Sequence, residues 1–283
     1  GTDMLSYATS TAGVTINLGA QTVAGGDAAG DIITGFEQAT GSDYADTLIG
    51  ASAAETLYGG GGNDSISAGG GNDLVLGGAG ADTLDGTSGT DTVSYATSSG
   101  AVNIVINSFS DGSGTGGDAE GDVLLNFDVL IGSNGNDTMY SNVASTLEGG
   151  AGNDSLTGGT AGNQTFIGGA GADTINGGGG TGDVISYAMS SAAVSVSLTA
   201  GTGTGGDAQG DVITAIERII GSSYNDTLIG STATNSLTGG DGNDYLDGVS
   251  GTNYLVGGNG NDTMIGGTVT NYFYVNHTTY GGS

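Results

Sequence analysis

The sequence predicts an all-β chain: a parallel β-roll, or β-solenoid, of 18-residue coils broken by three longer β-rich connector segments. Three observations lead there. Apolar residues recur every nine positions through long stretches of the chain. Glycine makes up 62 of 283 residues and clusters between those apolar positions, while Pro and Cys are absent. Aspartates keep a fixed place within the same nine-residue period.

From Gly41 to Ser94 six nonapeptides follow one another without a gap. Residues 59–85, GGGGNDSISAGGGNDLVLGGAGADTLD, give three of them as Gly-Gly-x-Gly-x-Asp-x-apolar-x, the middle copy opening on Ala68. The acidic positions are Asp46, Glu55, Asp64, Asp73, Asp82 and Asp91, and the apolar ones Leu48, Leu57, Ile66, Val75, Leu84 and Val93. A second, less regular set starts at Gly132, with Asp137, Asp154 and Asp173 in register. A third runs from Gly221 to Tyr274, with Leu228, Leu237, Leu246, Leu255, Met264 and Phe273 as its apolar row. A connector precedes each set. All three connectors carry Ser-Tyr-Ala (Tyr7, Tyr95, Tyr187), an alternating apolar run, and Gly-Gly-Asp-Ala-x-Gly-Asp, with a carboxylate six residues later at Glu37, Asp128 and Glu217. The expected organisation is three units, 1–90, 91–182 and 183–283, each a connector followed by nonapeptides.

Nine residues of this kind cannot form a helix. Each interior Gly costs about 1 kcal/mol relative to Ala, and an apolar spacing of nine fits no helical face. A three-residue strand followed by a Gly-rich turn does fit. In x-apolar-x the middle residue points inward and its neighbours outward, and Gly supplies the left-handed backbone a tight turn needs. Two strands and two turns make one coil, and stacked coils align the inward aliphatics between two parallel sheets. Tyr7, Tyr95 and Tyr187 are expected in the connector core. One inward aliphatic per nine residues is too little apolar burial to offset the ordering of so glycine-rich a backbone. Rows of carboxylates add repulsion. A hard cation supplies the missing term. Asp oxygens and turn carbonyls match the six to eight oxygen ligands of Ca²⁺. Mg²⁺ demands stricter geometry, and Zn²⁺ would want Cys or more than the single His of this chain.

Composition excludes several functions. One Lys/Arg against 30 Asp/Glu gives a net charge of −29, which repels nucleic acid and anionic membranes. No apolar run is long enough for a membrane span, so neither nucleic acid nor membrane insertion is expected. Arg218 and His277 are the only basic side chains, and the carboxylates recur along the chain without converging. No catalytic constellation emerges, and the chain is not expected to be an enzyme.

The motif at 59–67, 77–85, 149–157, 239–247 and 257–265 resembles the RTX (repeats-in-toxin) calcium-binding nonapeptide, and with the connectors the resemblance covers nearly the whole chain. It implies a β-roll with multiple calcium ions between turns 18 residues apart on one edge. The implied carboxylate ligands are Asp64, Asp73, Asp82, Asp91, Asp137, Asp154, Asp173, Asp226, Asp244 and Asp262. The implied turn carbonyls belong to Gly60, Gly62, Gly78, Gly80, Gly150, Gly152, Gly240, Gly242, Gly258 and Gly260. The connectors resemble segments of large RTX proteins, which implies further calcium at Asp27 and Asp31, Asp118 and Asp122, and Asp207 and Asp211. It also implies type I secretion and folding outside the cell, at a bacterial surface or free.

The chain departs from the motif on one edge. In the third set Asp226, Asp244 and Asp262 alternate with Asn235, Asn253 and Asn271, each preceded by Thr, and Gln164 degrades the same edge in the second set. Asn is a poor calcium ligand, so a mostly one-sided roll is expected, with polar ladders closing the other edge. Tyr44 and Tyr224 stand where the motif has Gly, which weakens the case for the first turn after those connectors. The C-terminal GGS and N-terminal GTDMLS join into a full nonapeptide, as expected of a piece of a longer array or of chains stacked head to tail. Three functional readings follow: a calcium-ordered structural or adhesive protein (surface layer, matrix fibre or adhesin stalk), the secretion and folding tail of an enzyme or toxin, and a carbohydrate- or ice-binding module. The last calls for exposed aromatics in a row, and none is clear in the sequence.

Overall fold

The computed structural model describes residues 1–107 and 110–274. His277, expected at the surface, and the joined terminal motif lie outside the described residues. The chain divides into two compact units, Gly1–Ser141 and Asn142–Ser283.

In the first unit one parallel sheet stacks Met4–Ser6, Gln38–Thr40, Thr56–Gly61, Leu74–Ala79, Thr92–Ser94 and Val129–Ile131. The facing strands Thr47–Ile49, Ser65–Ser67, Thr83–Asp85 and Val123–Leu125 are also parallel. Register steps by 18 residues within the nonapeptides, as Leu57 opposite Val75 and Ile66 opposite Leu84 show. The inward residues Leu48, Leu57, Ile66, Val75, Leu84 and Val93 are at most 1% exposed, so each middle strand residue buries its whole side chain, as the period of two requires.

The second unit repeats the design. Thr146–Ala151, Thr165–Ala170, Val184–Ser186, Arg218–Ile220, Ser236–Asp241, Asn253–Asn259 and Asn271–Tyr274 form one parallel sheet. Thr227–Ile229, Tyr245–Asp247 and Thr263–Ile265 stack on the other side of the roll.

Connectors enter the ladders without breaking them. Val123–Leu125 pairs with Thr83–Asp85, and Val212–Thr214 pairs with Thr174–Asn176, in the register another nonapeptide would take. Between these strands and the next coil each connector inserts a hairpin: Thr15–Asn17 with Thr22–Ala24, Asn103–Asn107 with Ser110–Thr115, and Ser195–Ser197 with Thr202–Thr204. The returning arm runs antiparallel within an otherwise parallel sheet. Tyr7, Tyr95 and Tyr187 are buried, as expected of connector core.

Glycine is required where coils touch. Gly78 and Gly80 have φ of 97° and 145°, and a Cβ at either would strike the carbonyl oxygen of Gly60 or Gly62 in the coil beneath. A side chain there would be strained by its own backbone and would also push the coils apart.

Candidate metal centre

Most nonapeptide Asp residues are buried although they carry a carboxyl group. Asp64, Asp73, Asp82, Asp91, Asp154, Asp173 and Asp244 are all at most 3% exposed. The reason lies in the stacking. Oδ1 of each Asp accepts the backbone N–H of the residue one coil earlier: Asp46 N–H to Asp64 at 2.8 Å, Asp64 to Asp82 at 2.8 Å, Asp154 to Asp173 at 2.9 Å and Asp226 to Asp244 at 2.8 Å. The opposite edge of the first unit does the same, with Glu55 N–H to Asp73 at 2.8 Å and Asp73 N–H to Asp91 at 3.0 Å. A second ladder runs the other way from the preceding Asn: Ala81 N–H donates to Asn63 Oδ1 and Asn243 N–H to Asn225 Oδ1.

One oxygen per carboxylate serves the ladder. The other, Oδ2 of Asp64, Asp73, Asp82, Asp173, Asp183 and Asp244, is buried with no hydrogen-bond partner. At Asp64, Asp82, Asp173 and Asp244 it points into the turn, against the first Gly of its own nonapeptide. A buried carboxylate oxygen without a partner is costly. Burial pushes Asp64 and Asp173 up to about 7, and Asp73, Asp82 and Asp244 up to about 6. The ladder N–H pulls down against that burial, and carboxylates of neighbouring coils push up again.

Hard oxygen donors, buried in the turns of each unit and short of positive charge, fit calcium. The carboxylates of Asp64, Asp82, Asp173 and Asp244 would hold it. The ten glycines expected to offer carbonyls, Gly60 through Gly260, all have positive φ between 97° and 145°.

The first Asp after each connector is different. Asp46, Asp137 and Asp226 accept the N–H of Val14, Val102 and Val194 from the connector, together with both the N–H and the hydroxyl of Ser42, Ser133 and Ser222. These carboxylates are satisfied within the protein. Tyr44 and Tyr224 occupy the same turns with exposed rings. Asp262, in the last described Asp turn, is half-buried and accepts the Asp244 N–H.

Each connector pair splits in two. Asp122 and Asp211 join the ladder, accepting the N–H of Asp82 at 2.8 Å and of Asp173 at 3.0 Å. Their second oxygen accepts the hydroxyl of Tyr95 or Tyr187 at 2.7 Å. Burial and the adjacent carboxylate push both tyrosines far above the usual phenol range. Asp118 and Asp207 are half-buried nearby and push Asp82 and Asp173 upward. Asp31 accepts the Tyr7 hydroxyl at 2.9 Å, but it and Asp27 are exposed. Glu37, Asp128 and Glu217 extend the opposite ladder by accepting the N–H of Asp3, Asp91 and Asp183.

The Asn edge closes on itself. Asn235 N–H donates to Asn253 Oδ1 at 3.0 Å, and the Asn253 amide donates to the carbonyls of Gly248 and Ser250 at 3.0 and 2.9 Å. The amide nitrogen thus satisfies turn carbonyls with no ion. The sequence shows no clear aromatic row, and the structure contains an exposed stacked pair. Tyr254 and Tyr272, one coil apart, stack with ring centroids 4.9 Å apart on an exposed face. The 18-residue spacing was the available signal.

Comparison with known proteins supplies the family. The model of the RTX calcium-binding nonapeptide repeat (4 copies) matches residues 31–66, 40–75, 58–93, 126–143, 144–160, 158–181, 220–255 and 247–268, over half of the chain. A search of curated proteins finds no match. Among solved structures, the crystal structure of the extracellular lipase LipA from Serratia marcescens is similar at 19% identity and a TM-score of 0.27, covering 74% of this chain and 34% of the lipase chain. The matched region therefore spans about a third of that lipase. The repeated glycine turns, the buried aspartate ladders and the family match agree: the chain belongs to the RTX calcium-binding nonapeptide repeat family.

Proposed function

We propose that the chain is a secreted structural or adhesive repeat protein that folds on binding calcium and then associates with further copies of itself. One observation carries this reading: carboxylate oxygens in successive turns are buried without a donor. Those turns are stable only with an ion bound or a proton taken up, and the millimolar calcium outside cells supplies the ion. The ladder Asp64–Asp82 and the residues Asp173 and Asp244 are the principal sites. Asp137 and Asp226, already satisfied by their Ser and Val donors, contribute less. The three units 1–90, 91–182 and 183–283 act as successive modules, each connector closing one ladder and opening the next. Catalysis plays no part in this reading, since the carboxylates serve the ladders.

A calcium titration followed together by far-ultraviolet circular dichroism and light scattering tests it. Chelation with EGTA is expected to abolish the β signal, and readdition to restore it, with scattering rising as the fold returns. A β signal unchanged in EGTA would remove calcium from folding. A restored signal with flat scattering would remove self-association.

A further inference from the structure

Arg218 is the only Lys or Arg in a chain with 30 acidic residues. Its side chain is exposed and has no ion pair or hydrogen bond among the described residues. Even adjacent Glu217 is engaged elsewhere, accepting the Asp183 N–H at 3.0 Å. Register places Arg218 opposite Ser236, Ser236 opposite Tyr254 and Tyr254 opposite Tyr272. The neighbouring row, Ile219, Leu237 and Leu255, is buried, so these four side chains share the outward face. Ser236 is the small member of the row. Over it opens a hollow of about 410 Å³ with Arg218 and Tyr254 two strands apart at its ends and Glu217, Thr181 and Thr234 in its lining. Two strand spacings separate those ends, about 10 Å, and the volume falls within the range of small-ligand sites.

We propose that this hollow binds an acidic pyranoside, a sugar ring bearing one carboxylate. The ring lies toward the Tyr254 face, which Tyr272 backs by stacking. Arg218 takes the carboxylate, for which its planar fork is suited, and the mostly apolar lining between Arg218 and Tyr254 meets the C–H face of the ring. Of the acidic residues only Glu217 lines the hollow, and its carboxylate is held by the Asp183 N–H, while carboxylates beyond roughly 8 Å are screened at physiological ionic strength. A cation lacking a partner among so many carboxylates marks the one place on this face where a negative group is matched.

The test is an NMR titration of the calcium-loaded protein with methyl β-D-glucuronide and, separately, methyl β-D-glucoside. Ring signals of Tyr254 and Tyr272 and the Ser236 amide are expected to shift together, with the glucuronide binding about tenfold tighter, the scale of a charge-assisted contact. Arg218→Gln should erase that preference, and Tyr254→Ala should remove binding of both sugars. Equal affinity for the two sugars, an Arg218→Gln variant that keeps the preference, or shifts confined to the aspartate turns would overturn the proposal. The site rests on the calcium-folded roll, so circular dichroism is recorded on the same samples. A lost β signal counts against calcium folding, whereas an intact fold without binding counts against the sugar site.

Discussion

Asp244 and Asn253 occupy equivalent places in the turns of opposite edges, and one atom separates their roles. The second oxygen of Asp244 is buried without a donor, while the amide nitrogen of Asn253 donates to Gly248, Ser250 and the Asn271 side chain. A carboxylate turn waits for a cation; a carboxamide turn is already complete. Asp244→Ala is therefore expected to weaken calcium binding measured by isothermal titration, and Asn253→Ala to leave it nearly unchanged. In urea unfolding Asn253→Ala is expected to cost about 1–3 kcal/mol, because the buried Asn235 N–H loses its acceptor. Equal losses of calcium affinity would refute the division between edges. Val249, in the Asn253 turn, and Thr87, in the Asp91 turn, hold φ at 57° and 66° where other turns place glycine, a costly conformation for a β-branched residue.

At the level of strands and turns, the nonapeptides were legible because period and chemistry coincide. A nine-residue apolar spacing fixed which side chains go inward, and Leu57, Ile66 and Leu84 are buried accordingly. The connectors were legible only as recurring text. Their work depends on contacts 24 to 40 residues apart, such as Tyr187 to Asp211 and Asp82 to Asp122, and no short-range periodicity encodes such pairs. The Asn that precedes several of the Asp residues stands at a variable position of the motif, yet it builds its own ladder. The tyrosine contact yields a direct check. Tyr187→Phe leaves the second oxygen of Asp211 without its donor, and a loss of about 1–3 kcal/mol in urea unfolding is expected. A neutral result would mean that the hydroxyl does not hold the connector to the ladder.

For the whole molecule, charge governs stability. Asp64 and Asp173 are pushed to about 7 from an ordinary 3.8, mainly by burial. A raised folded-state value means that folding without metal takes up protons. The stabilisation is complete below the unfolded value and disappears as pH rises through the folded one. Metal-stripped protein is thus expected to show more β signal at pH 5 than at pH 8, the stability falling across the window between the unfolded value of 3.8 and the folded values of about 6 and 7, and calcium should restore the signal at pH 8. A metal-free chain equally unfolded at both pH values would contradict this. The connector hairpins have a different consequence. Their arms differ in reach, from Asn17 opposite Thr22 to Asn107 opposite Ser110, while the ladders around them keep one register. Thr199 anchors this arm to the roll, its N–H and hydroxyl both donating to the Gly230 carbonyl, which leaves exposed Ala200 at the tip as a port for foreign sequence. A peptide grafted after Ala200 should leave the calcium midpoint in place, so this scaffold can display cargo at a site its folding does not sense.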